Sequence, residues 1–243
     1  MATISSFPHL TTLCDTRLIC LRQTRIAKFA GQNSWQWYAF GMDLAENMEL
    51  LQKTGQFEGK FLVATPGLAS SFFAQTIIYI CAHNEDGAMG FVVNKARGMT
   101  FCDLVEQTDV FTECSVPQMA SEIAYTPIGH GGPVDEHRGF VLHTTDYCGE
   151  STIPISETVF LTSTTQVLRM IANGQGPHQC AIALGYSGWG PGQLETEILE
   201  NSWLTLDADT GLVFDQDHET KYDRLLRSSG IQPAHFVAGY GHA

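Results

Sequence analysis

A thiol and an imidazole stand two residues apart at Cys81 and His83, within a run dense in apolar, aromatic and β-branched residues. If that run is a strand, its period of two sends both side chains to one face. An imidazolium beside a thiol lowers the thiol pKa and yields a thiolate, the nucleophilic and redox-active form. The pair is thus a candidate redox-reactive site. The competing reading is a buried Cys81, because a cysteine outside a disulfide is among the most buried residue types. Burial is favoured, and no Asn or Asp can be assigned to orient His83, so a Cys–His protease is not inferred.

A second set of candidates is built on glycines. Gly131, Gly132 and Pro133 lie between His130 and His143. Consecutive glycines allow backbone to approach a ligand closely, and His143 at a predicted strand end has the chemistry of an acid or base. Ser187 and Thr144 qualify as nucleophiles only if the fold brings them to it. A histidine satisfied by a backbone hydrogen bond is the more common outcome. Downstream, Gly185 to Gly192 reads as a glycine-rich loop opening into a helix at Gln193. Free N–H groups at such a junction attract anions. Here Glu195 and Glu197 already complement the helix dipole, no phosphate-binding Lys is present, and the spacing is not that of a dinucleotide fingerprint. The favoured alternative is a tight turn that packs Trp189 over the strand end. The candidate pocket is therefore Gly131, Gly132, Pro133, His143, Tyr186, Trp189, Gln193 and Glu197, with no catalytic residue assigned among them.

Metal chemistry is not expected. Glu195, Glu197 and Glu200 read as a solvated acidic face, His235 and His242 have no recognisable ligand spacing, and no four-ligand zinc pattern occurs. No cofactor is implied. The seven cysteines are odd in number and contain no C-x-x-C pair, which favours reduced thiols in a cytoplasm over a disulfide framework.

Charge narrows the partners. The net charge is −13, but residues 1–41 carry +3 and the remainder −16. A body so acidic repels polyanions at long range, so direct nucleic-acid binding is not expected. No apolar run reaches the roughly 18 residues of a membrane span. The N-terminal extension, residues 1–56, differs in composition from the rest. Its first 41 residues are rich in Ser, Thr and Arg and read either as a transit peptide or, by preference, as upstream sequence ahead of Met42 or Met48. The globular domain is expected over 57–243.

Within that domain, strands are predicted at Lys60–Ala64, Thr76–Cys81 and Ala88–Val93, the last two joined through the turn Asn84-Glu85-Asp86-Gly87 as a β-hairpin. A short helix follows at Thr100–Gln107, with Thr100 as its N-cap. Pro127–Gly132 reads as a turn, Gly139–Thr144 and Thr158–Leu161 as strands. Val167, Leu168 and Ile171 give one face of a helix that Ser163 can cap and Asn173-Gly174 ends. Cys180–Tyr186 is a buried strand, Gln193–Asn201 a helix, Trp203–Leu206 a strand and His218–Ser228 an amphipathic helix with Tyr222, Leu225 and Leu226 inward. Alternating elements with an Asp-Gly hairpin predict an α/β chain of α+β character: a mixed sheet with helices packed on it, rather than a pure doubly wound fold.

Four stretches carry a resemblance: Gly59-Lys60-Phe61-Leu62-Val63-Ala64-Thr65-Pro66; Tyr79 to Gly90; Gly131-Gly132-Pro133-Val134 with Arg138 to Thr144; and Ala183 to Trp189 with Gly192 to Ile198. In order and spacing they resemble the AlgH/YqgE family of bacterial proteins, over nearly the whole chain from about residue 57. The resemblance implies a compact fold with a curved mixed sheet. It implies no established activity; members are often labelled transcriptional regulators. The family pattern often has an acidic residue where this chain has Ala82. The resulting expectation is a cytoplasmic regulatory or interaction protein with an unidentified protein partner, its oligomeric state open. The alternative is a small-molecule enzyme or sensor with a cleft at the glycine turns. A direct DNA-binding regulator ranks last, since no basic recognition helix is visible.

Overall fold

The computed structural model describes residues 56–69, 71–107 and 119–231. His235, His242, Met42 and Met48, and all of the 1–56 extension except Gln56, lie outside them.

Ten strands and six helices make up the described chain. In order they are β1 (Lys60–Ala64), β2 (Ile77–Asn84), β3 (Gly87–Val92), β4 (Ala96–Thr100), α1 (Phe101–Gln107), α2 (Ser121–Ala124), β5 (Pro127–His130), β6 (Val134–His143), β7 (Thr152–Pro154), β8 (Phe160–Thr162), α3 (Thr165–Ala172), β9 (Cys180–Trp189), α4 (Gln193–Leu199), β10 (Trp203–Asp207), α5 (Thr210–Phe214) and α6 (Lys221–Ser228). The sheet runs β10-β1-β2-β3-β9-β6-β8-β7, with β5 joined to β4 and β9. Among the described residues only the β5–β9 pair is parallel, so the sheet is mixed, and it curls into a mostly antiparallel half-barrel. The predicted hairpin is β2–β3, closed by Asn84 opposite Gly87.

Alternation along the strands divides the core. On one face Phe61, Tyr79, Phe91, Phe140 and Leu142 pack with Val213 and Phe214 of α5 and Leu225 and Leu226 of α6. On the other face α1 and α3 cover Ile128, Val141, Ile182 and Leu184, and Leu194 of α4 covers Leu62, Ile78 and Ile80. Strands β1 to β3 are covered on both sides, which is why they read as apolar runs rather than as alternating ones. Burial of this apolar surface supplies the main driving force for the fold.

Three local expectations are corrected. Pro127–Gly132 is not simply a turn. Its first four residues form β5, with Pro127 at the strand start where its missing donor is tolerated. The glycine-rich stretch is not a loop up to Gly192, because β9 runs on through Trp189. Pairing of Ser187 with Gly90 and Trp189 with Ala88 supplies backbone hydrogen bonds that outweigh the local preference of glycine for turns. Only Gly190 to Gly192 remain as the connection to α4. The helix α3 starts at Thr165, so Thr164 occupies the N-cap position, not Ser163.

Candidate functional site

The Cys81–His83 pair is split by a β-bulge. Ile80 pairs with Gly90 and Ala82 with Met89, leaving Cys81 as the extra residue. The bulge shifts the alternation by one, so the shared face expected of an even spacing is lost. Cys81 is fully buried with Tyr79 and Phe61. His83 instead lies opposite Ala88, edge-on to the Phe57 ring at 4.8 Å, and its Nε2 is 2.9 Å from Glu195 Oε1. Burial pushes the Cys81 thiol well above its ordinary pKa, and the nearby Glu58 carboxylate adds to the shift. No thiolate is favoured there.

The glycines are filled by backbone. A Cβ on Gly131 would lie 2.2 Å from the Gly185 carbonyl oxygen, and one on Gly132 would lie 2.2 Å from Tyr186. Their small size lets the β5–β6 connection cross β9 at backbone contact. Buried Ser187 donates to the Gly131 carbonyl at 3.3 Å.

His143 belongs to another part of the molecule. It pairs with Cys180 at one end of β9, whereas Trp189 ends the strand. Cys180 and Trp189 are nine positions apart, about 30 Å of extended chain. His143 is fully buried. Its Nδ1 donates to the Thr144 carbonyl at 2.8 Å, and its Nε2 lies 2.8 Å from the Thr162 hydroxyl. Burial holds its pKa below the usual imidazole value, so the ring is neutral at pH 7, with the Thr162 hydroxyl donating to Nε2. The eight candidate residues therefore do not line one cleft.

Part of the set does converge. Glu197 Oε2 accepts the indole N–H of Trp189 at 2.9 Å and that of Trp203 at 2.7 Å, while Oε1 accepts from Gln193 Nε2 at 2.8 Å. Gln193 Oε1 in turn accepts the Gly190 amide at 3.0 Å. This network fastens α4 to β9 and β10, and it engages both carboxylate oxygens of Glu197.

A cleft not foreseen from sequence opens where α2, the α3–β9 connection and the end of α5 meet. Its volume is about 540 Å³, with Glu122, Thr126, Ile171, Gln179, Ile182 and Phe214 on its walls. Sharing Thr126, Cys180, Ile182, Phe214 and Gln216 with it is an inner chamber of about 20 Å³, which extends to His218 and has room for one water-sized group. Burial, helped by the Lys221 charge, lowers the His218 pKa to about 4, and its buried Nδ1 has no hydrogen-bond partner. Beside it Lys221 is fully buried and donates to the Val93 carbonyl at 2.6 Å. Asp215 is paired with Arg224. The sequence signal for Lys221 was its position four residues before Leu225, on the same helical face. Nothing local marked the cleft, whose walls come from segments about 90 residues apart. Among the described residues no group of three His, Cys, Asp or Glu side chains is placed to hold a metal ion.

The AlgH-like family model (DUF179) matches residues 61–234. The chain belongs to the AlgH-like family. A UPF0301 protein of Mesorhizobium japonicum is 45% identical over 202 residues, covering 83% of this chain and 100% of its own length. A UPF0301 protein of Brucella melitensis is 46% identical over 192 residues, 79% of this chain and 96% of that one. The solution structure of AlgH from Pseudomonas aeruginosa superposes with a TM-score of 0.63 at 36% identity, covering 79% of this chain and 99% of that one. A Corynebacterium diphtheriae protein shares the fold alone, with a TM-score of 0.58 at 16% identity. The relatives are bacterial, and the AlgH-like assignment fits the mixed, curled sheet. Membership carries no specific activity with it.

Proposed function

We propose that this AlgH-like chain is a regulatory binding protein of the bacterial cytoplasm, and that the cleft beside β9 is its recognition site for a small organic molecule. The observation that carries this reading is the cleft itself. At about 540 Å³ it falls within the size range of small-molecule sites, and it combines an apolar floor with polar side chains at its mouth. Of the nucleophile candidates, Ser187 and Cys81 are buried, and the Thr144 hydroxyl donates to the Asp146 carboxylate rather than to His143. The cytoplasmic placement is supported by the free thiols of Cys81, Cys102, Cys148 and Cys180. Among the described residues no helix is long and apolar enough to cross a membrane.

A thermal-shift screen of a metabolite library tests the reading, because a ligand of the native state raises its stability. Gln216 is exposed and lies where cleft and inner chamber join. The expected result is a set of stabilising compounds whose effect disappears in Gln216→Trp. A library without stabilising compounds, or hits indifferent to that substitution, would overturn it.

A protein partner is the second reading. Tyr125, 74% exposed, directly follows α2, and Leu199 at the end of α4 is 82% exposed. Tyrosine is enriched at protein interfaces. Loss of a co-purifying protein in Tyr125→Ala would favour this reading; unchanged recovery would remove it. The acidic body continues to weigh against direct DNA contact.

A further inference from the structure

The walls of the cleft carry a charge pattern that selects among ligands. Glu122 stands on the outer wall and Asp215 on the inner one, whereas neither a lysine nor an arginine lines either chamber. Asp215 is already paired with Arg224. Among the described residues Glu122 forms no ion pair, and its residue is exposed. At the rim, His178 is 90% exposed, and its ring lies 3.9 Å from Asp146, so that imidazole already has a carboxylate beside it. Behind the charges, Ile171, Ile182 and Phe214 form an apolar floor. The surrounding body from residue 42 onward carries −16, which raises the local concentration of cations and lowers that of anions.

We propose that the cleft takes a small organic cation, its apolar body against Ile171, Ile182 and Phe214 and its ammonium against Glu122, and that it excludes anions such as nucleotides and phosphorylated metabolites. The proposal rests on the cleft reading above and adds the class of ligand to it. A phosphate entering this site would meet the Glu122 carboxylate with no lysine or arginine on the walls to neutralise it, and a charged group must be paired to leave water. An amine loses water on the same path but gains Glu122. Neutral His218 in the inner chamber suits an uncharged polar group such as a hydroxyl or a bound water.

Three probes with one ring system isolate the charge: tryptamine, its alcohol tryptophol, and indole propionate, each titrated into the full chain and followed by calorimetry and amide NMR shifts. Tryptamine should bind about tenfold tighter than indole propionate, the size expected of one carboxylate at a partly exposed site. Tryptophol should fall between them. Glu122→Gln should bring tryptamine down to tryptophol, and added salt should weaken tryptamine alone. Gln216→Trp should abolish all three. Indole propionate binding as tightly as tryptamine would overturn the charge selection while leaving the cleft as a binding site. Tryptamine binding unaffected by Glu122→Gln would do the same. No shift with any probe, in a protein that the metabolite screen does stabilise, would overturn the proposal alone; absence of both signals would overturn the cleft reading as well.

Discussion

Lys221 Nζ donates to the carbonyl oxygen of Val93 at 2.6 Å, tying α6 to the residue that follows β3. The lysine is fully buried, and burial lowers its pKa from 10.5 to about 8. An unfolded chain therefore holds this proton up to higher pH than the folded one. Below pH 8 both states are charged, and the cost of burying the ammonium is present in full. Between pH 8 and 10.5 the unfolded state binds more protons, so this group makes stability rise with pH. Urea titrations of wild type and Lys221→Met across that window should differ in slope. The accumulated difference should be on the order of 3 kcal/mol. Parallel curves would show that Lys221 keeps its ordinary pKa.

Glu197 is the acceptor for three side chains, two of them buried indoles. Glu197→Ala should cost about 3 kcal/mol, because both indole N–H groups lose their partner in a dry environment. Glu197→Gln retains an acceptor oxygen and should cost less than half of that. Denaturant midpoints, with tryptophan emission reporting on Trp189 and Trp203, provide the measurement. Equal losses for the two variants would mean that packing, and not the hydrogen bonds, holds α4 in place.

Gly131→Ala places a Cβ 2.2 Å from the Gly185 carbonyl oxygen. Backbone must then separate from backbone, and the expected loss is about 3 kcal/mol or more. Gly174→Ala is the control. At Gly174 a Cβ meets nothing within 4 Å, so only the positive φ of 69° opposes it, at roughly 1–2 kcal/mol. Thermal unfolding of the two variants ranks them, and a milder effect at Gly131 would contradict the close crossing.

Cys81 should resist modification. Its full burial and raised pKa both suppress the thiolate. Mass-spectrometric mapping after brief iodoacetamide treatment should find Cys102 and Cys148 alkylated and Cys81 untouched until denaturant is added. Prompt labelling of Cys81 in the native protein would restore the reactive-thiol reading.

The comparison of sequence with fold is clearest at individual residues. The run Lys60–Ala64 and the hairpin around Asp86-Gly87 are strands in both, because period-two burial and turn chemistry act within a few residues. The helix at Gln193 was equally legible. By contrast, β4 and β7 carry no strand signal of their own. They are short, and β4 is held by its partner rather than by apolar periodicity. Glu197 was read with a solvated acidic face, yet it is a hydrogen-bond hub, since Trp189 and Trp203 reach it only after β9 and β10 are placed.

Local patterning thus specified the longer apolar strands and the amphipathic helices, and the order and spacing of four motifs specified the family. The amino acids near one another in the chain carry that information. The separation of Cys81 from His83 came from a bulge whose register is set by β3, and the distance of His143 from Trp189 came from the direction of β9. The cleft exists because Glu122, Gln179 and Gln216, remote in sequence, line one space. Those relations depend on pairings between remote segments, and such pairings are chosen by packing of the whole chain, which no short stretch encodes.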